Sequence, residues 1–85
     1  MGEHDLIQLT TSQCNILFAM SHGQILVFER KTGKCMVSEQ PFDQKDVRGL
    51  RRNWLIKQKC ISPSYRYYTI TNKGKDIFSY CLPKR

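Results

Sequence analysis

Lys45, Arg48 and Arg52 recur at i, i+3 and i+7 within Asp43-Gln-Lys-Asp-Val-Arg-Gly-Leu-Arg-Arg-Asn-Trp-Leu-Ile56, and Arg51 adds a further cation to the same segment. On a helix Lys45, Arg48 and Arg52 form one stripe, with Gly49 and Asn53 at its edge. Val47, Leu50 and Trp54 form a second stripe, flanked by Leu55, which reads as the apolar keel of a helix over 43–56. Ammonium and guanidinium groups fixed in a row can neutralise a row of phosphates and displace their counterions. A helix that is apolar below and cationic above is suited to sit on a core and face a polyanion. Lys and Arg also commonly just solvate the outer face of a core helix, so the neighbouring elements decide between the two.

The next segment is basic as well. Leu55-Ile-Lys-Gln-Lys-Cys60 reads as extended, Ile61-Ser-Pro-Ser-Tyr65 as a turn set by Pro63, and Arg66-Tyr-Tyr-Thr-Ile-Thr71 as a returning strand. Lys57, Lys59 and Arg66 therefore sit on a hairpin directly after the cationic helix. Tyr65 and Tyr67 or Tyr68 interleave with them; strand tyrosines pack in cores and across strands, and they can also stack on bases. The net charge of +7 is unevenly placed: residues 1–40 hold three cations against four carboxylates, whereas residues 41–85 hold eleven against three. Such a half-molecule favours an anionic partner: nucleic acid first, an acidic protein surface second, a membrane surface third.

Eighty-five residues is the size of one domain, 1–85, with 1–5 and 83–85 expected as flexible ends. Thr10-Thr-Ser-Gln13 is a capping-box pattern opening a first helix through Cys14, Ile16, Leu17, Phe18, Ala19 and Met20. Apolar residues on most of its faces imply that it is largely buried, and His22-Gly23 ends it. Gln24–Glu29 and Cys35–Glu39 read as two strands around the turn Arg30-Lys-Thr-Gly-Lys34. Pro41 is expected to break the ladder, and Asp43 to cap the central helix. Gly49 inside that helix implies a close approach. Thr71 caps a last helix, Asn72–Cys81, with Ile77, Phe78 and Cys81 on its buried edge and Pro83 stopping it. Phe78, Tyr80 and Leu82 could form a two-fold contact, so monomer and homodimer both stand.

Cys14, Cys35, Cys60 and Cys81 are separated by 21, 25 and 21 positions, with no C-x-x-C motif and no histidine pair nearby. Buried reduced thiols are expected. No carboxylate pair, no Cys–His or Ser–His constellation and no phosphate-cradling glycine loop is present. Catalysis, a metal and a cofactor are therefore not expected. The acidic start Met1-Gly-Glu-His-Asp5 lacks the pattern of a secretory leader, and apolar runs such as Ile25–Phe28 are too short to span a bilayer. Both point to the cytoplasm.

Leu55-Ile56, a short basic hairpin and then Tyr68-Thr-Ile-Thr-Asn-Lys-Gly-Lys-Asp-Ile77 resemble the second half of a winged-helix (winged helix-turn-helix-like) DNA-binding domain. There a recognition helix ends in a Leu-Ile pair, a two-stranded wing follows, and a Tyr-x-Ile/Leu-Thr-x-x-Gly-Lys/Arg segment enters the last helix. Thr10–Gly23 followed by Ile25 is similar to the opening of the same domain, so the resemblance covers roughly residues 9–82. It implies an α+β, compact winged-helix-like domain in the order helix–hairpin–helix–hairpin (wing)–helix. Residues 24–42 hold a hairpin where the helper helix would be, an order also similar to that of the small YjhX-like bacterial proteins. The resemblance implies a recognition helix at 43–56 and a wing at 57–66. Lys45, Arg48, Arg51, Arg52 and Asn53 would face a DNA major groove, and Lys57, Lys59 and Arg66 would contact phosphates. Arg48 and Arg52 would read bases, since arginine can pair both acceptors of guanine. The implied function is a transcriptional regulator of a prokaryote or mobile element that binds double-stranded DNA. The alternative is a phage- or plasmid-type inhibitor or toxin that binds an acidic surface of a host nucleic-acid enzyme.

Overall fold

A computed structural model describes residues 9–81, without the side chains of Tyr80 and Cys81. The expectations for residues 1–5 and 83–85, for Leu82, and for the side chains of Tyr80 and Cys81 lie outside that range. The described chain is a small α+β domain with three helices and one five-stranded antiparallel sheet. Its elements are α1 (Thr11–Ser21), β1 (Leu26–Glu29), β2 (Cys35–Val37), β3 (Gln40–Phe42), α2 (Gln44–Arg52), β4 (Ile56–Ile61), β5 (Tyr65–Ile70) and α3 (Asn72–Cys81). The strand order is β3-β2-β1-β5-β4.

Local signals place most of the boundaries. The Thr10 hydroxyl accepts from the Gln13 amide, and the Gln13 side chain returns the bond to Thr10, a full capping box. Gly23 takes a φ of 93°, which lets the chain leave α1. Asp43 caps α2 by accepting from the Lys45 amide at 3.0 Å. Thr71 caps α3 by accepting from the Gly74 amide at 2.9 Å.

The core gathers Ile16, Leu17 and Met20 of α1, Leu26 of β1, Cys35 and Val37 of β2, and Val47 and Leu50 of α2. Leu55, Ile56, Tyr68 and Ile77 complete it. Burying these side chains on one face of the sheet supplies the main driving force for folding. Helix α1 is less buried than its composition implies: Phe18 is 52% exposed, its ring packed on those of His22 and Phe78 at its edge.

Pro41 does not break the ladder. Ser38 and Glu39 both adopt positive φ, 51° and 69°, and form a two-residue hairpin turn after which Pro41 pairs opposite Met36. β3 is an edge strand. In the antiparallel alternation Pro41 stands one pair beyond the narrow pair that closes the turn, where the ladder requires no N–H from it.

Cys60 is not buried. The register passes from Gln58 opposite Tyr68 to Cys60 opposite Tyr67, so Lys59 is the extra residue of a β-bulge. The bulge reverses the alternation and turns Cys60 to the face carrying Tyr67. Cys14 is half-buried, and Cys35 is buried, which with the neighbouring Asp43 carboxylate pushes its thiol pKa up.

The largest difference lies at the end of α2, which stops at Arg52 rather than continuing to Ile56. The Trp54 amide donates to the Arg51 carbonyl at 3.0 Å and the Leu55 amide to the Leu50 carbonyl at 2.9 Å. With Asn53 as the C-cap, this is a Schellman termination, and the fully buried Leu50 and Leu55 supply the apolar contact that accompanies it. The left-handed residue of such a turn is usually glycine; here it is Trp54, with φ 62°. The turn carries Trp54 off the keel and leaves it 72% exposed.

The turn is held by α3. The Thr71 hydroxyl donates to the Trp54 carbonyl at 2.7 Å, and the Thr71 amide donates to the Leu55 carbonyl at 3.0 Å. A Cβ at Gly74 would lie 2.1 Å from the Leu55 oxygen, so only glycine fits beneath that carbonyl. At Gly49 the close neighbour is the Gln13 amide, 2.6 Å from a built Cβ, which donates to the Asp46 carbonyl and ties α1 to α2.

The two glycines should therefore answer differently to alanine. Gly74→Ala meets backbone and is expected to cost about 2–4 kcal/mol in urea unfolding despite alanine's better helix propensity. Gly49→Ala meets the end of a flexible side chain. The loss of one hydrogen bond and the gain in helix propensity, each about 1 kcal/mol, should nearly cancel. A Gly74→Ala chain as stable as the native one would refute the packing at this corner.

Candidate functional site

Because α2 stops at Arg52 and β4 starts at Ile56, the last turn of the helix stands over the sheet with a groove between them. The groove has a volume of about 550 Å³ and is lined by Arg48, Arg51, Arg52, Trp54, Ile56, Lys57, Gln58 and Tyr68. That is within the range of small-molecule sites, roughly 300–1,000 Å³. Ile56 and Tyr68, each 2% exposed, belong to the core and form the groove's inner lining.

The cationic wall comes from two elements. Arg48, Arg51 and Arg52 project from α2, and Lys57 comes from the edge strand β4; all four are exposed. The Arg51 guanidinium lies 5.3 Å from the Tyr68 ring centroid, a cation–π arrangement that fixes one side chain of the wall. Arg48 donates to the Gln44 side chain at 3.3 Å. Among the described residues none of the four has a carboxylate partner, so their charge is uncompensated by the fold. Arg51 and Arg52 also occupy the last turn of α2, where cations offset the negative end of the helix.

The other expected residues distribute unevenly. Lys45 shares a smaller depression, about 230 Å³, with Arg48, Gly49 and Arg52. The Asn53 side chain donates back to the Gly49 carbonyl at 3.1 Å, so it closes the helix end. Lys59 is the bulge residue and does not line the groove. Arg66 is half-buried on β5, its guanidinium 5.9 Å from the Phe28 ring, and its Nε is buried without a hydrogen-bond partner. Arg48, Arg51 and Arg52 thus line one wall with Lys57 at the edge strand beside it, Lys45 continues the wall around the helix, and Asn53, Lys59 and Arg66 stand apart from it.

Besides the core residue Ile56, three groove residues were not expected as site residues. Helical periodicity puts Trp54 on the keel, and only the end of the helix two residues earlier moves it to the rim. The sequence signal for that end was the Leu50–Leu55 spacing, which matches the apolar contact of a Schellman turn; the missing glycine concealed it. Tyr68 was recognised only as one of several strand tyrosines. Its hydroxyl is buried without a hydrogen-bond partner, an unmade bond worth about 1–3 kcal/mol. Gln58 carried no signal, since its side chain enters the groove through its pairing opposite Tyr68.

Among the described residues no cluster of three or more His, Cys, Asp or Glu side chains could hold a metal ion, and no helix is long and apolar enough to cross a membrane. No family model, no curated protein and no solved structure matches the chain.

An exposed Trp54 in a left-handed conformation makes a definite stability prediction. Trp54→Gly releases about 1 kcal/mol of backbone strain and adds about as much unfolded-chain freedom, so its unfolding midpoint should stay close to the native one. A tryptophan packed in the core would instead cost about 3–5 kcal/mol on truncation.

Proposed function

We propose that this chain binds double-stranded DNA through the cationic groove and the outer face of α2, acting in the cytoplasm as a small regulator of the winged-helix kind. The single observation that carries this reading is one concave surface lined by Arg48, Arg51 and Arg52 of α2 and bordered by Lys57 of β4, with no carboxylate among the described residues to neutralise them. A wall of that kind follows a phosphate backbone. In this reading α2 lies at the major groove with Arg48, Arg51 and Arg52 on the phosphates that border it, and the hairpin β4–β5 lies along the backbone as the wing. The order β1-β5-β4 beside α2 is compatible with that use, and the β2–β3 hairpin takes the place of a helper helix.

A second reading has its own support. Arginine and an exposed tryptophan on one surface are the residue types that dominate protein–protein hot spots, and the groove could grip an acidic surface of a nucleic-acid enzyme. A partner retained from nuclease-treated lysate and released by charge reversal in the groove would favour that alternative.

Fluorescence anisotropy of a labelled random duplex tests the first reading. Four phosphate contacts predict a slope of log K against log salt of roughly −3.6, or about a hundredfold weaker binding between 50 and 200 mM salt. The double variant Arg48→Glu/Arg52→Glu should bind at least tenfold more weakly and reduce the slope by about 2. Binding at low salt that the charge reversal leaves unchanged would overturn the proposal.

A further inference from the structure

We propose that the groove receives an unstacked nucleotide, with its base against Trp54 and its phosphates on the arginines, so that the preferred ligand is DNA with an unpaired base. This rests on the nucleic-acid reading above and narrows it.

The geometry of Trp54 carries the inference. The indole is 72% exposed at the groove rim, beside Arg51 and Arg52. Its backbone is held on both sides: the amide donates to the Arg51 carbonyl at 3.0 Å, and the carbonyl accepts from Thr71 at 2.7 Å. A ring projected from a pinned backbone is pre-organised for contact, at a lower ordering cost than one on a mobile loop. A bulky residue with φ 62° also holds a position that glycine would occupy without strain. In the free chain the indole gains little from this placement, since most of its surface faces solvent.

The groove supplies what else a nucleotide needs. Its volume of about 550 Å³ exceeds what a planar base requires. Gln58 brings an amide that can both donate and accept toward a base edge. The Tyr68 hydroxyl is buried without a partner, and the Arg51 guanidinium lies over that ring. A phosphate that draws Arg51 away uncovers Tyr68 and offers its hydroxyl a bond. An intact duplex cannot use these groups well, because each base face is covered by its neighbours. A bulged or extruded base presents a free face, and stacking on an aromatic side chain favours it by about 1–3 kcal/mol, on the order of five- to a hundredfold in affinity.

The test compares three labelled duplexes of one sequence at fixed salt: fully paired, with a single bulged adenine, and with an abasic bulge at the same place. The bulged adenine should bind the native chain about tenfold tighter than the paired duplex, and the abasic bulge should bind like the paired one. Emission from Trp54, the one tryptophan of the chain, should fall on binding the adenine bulge. Trp54→Leu should bind the bulged adenine and the paired duplex alike. If the native chain binds paired and bulged duplexes equally, or if Trp54→Leu retains the preference, the base site is wrong and the duplex reading survives. If no duplex binds at low salt, both fail together.

Discussion

Two consecutive carbonyls, those of Trp54 and Leu55, are both bonded to Thr71, and Gly74 is the residue that allows α3 to approach the second so closely. This contact joins the end of α2, the start of β4 and the first turn of α3 at one point. It leaves the Leu55 carbonyl with a partner although neither helix nor strand supplies one, as a buried backbone group requires. The angle between α2 and the sheet follows from it, and so does the groove. If the helix ran on to Ile56, Trp54 would return to the keel and Leu55 would leave its place in the core.

The electrostatics follow from that corner. Arginines in the last turn of a helix are favourable even without a ligand, because they offset the negative helix end. That accounts for Arg51 and Arg52 but not for Lys57, which belongs to a strand, nor for Arg48, a full turn earlier. Gathering all four around one depression leaves like charges close together in solvent, a modest cost that an anion would reverse. The cation–π contact of Arg51 with Tyr68 holds one of them in place.

Much of this was legible in the residues. The capping box at Thr10, the N-caps Asp43 and Thr71 and the turn at Gly23 each announce themselves by side-chain chemistry, and each is where it was expected. The cations of the groove were legible as a class, since charge and helical spacing need no tertiary information. The features that escaped are those in which a residue stands where another type is usual. A tryptophan fills a glycine position, a proline lies within a paired edge strand, and one inserted residue at Lys59 reverses the faces of a strand. Periodicity cannot register any of these, because it assumes that an element continues until a breaker appears. The aromatic half of the groove was lost for that reason.

The most direct measurement is acrylamide quenching of tryptophan emission, which has one source in this chain. With α2 ending in a left-handed turn at Trp54, native emission should be as red and nearly as readily quenched as in urea, while its anisotropy stays that of a folded protein. Blue-shifted native emission shielded from acrylamide would return Trp54 to the core and contradict the corner on which the groove depends.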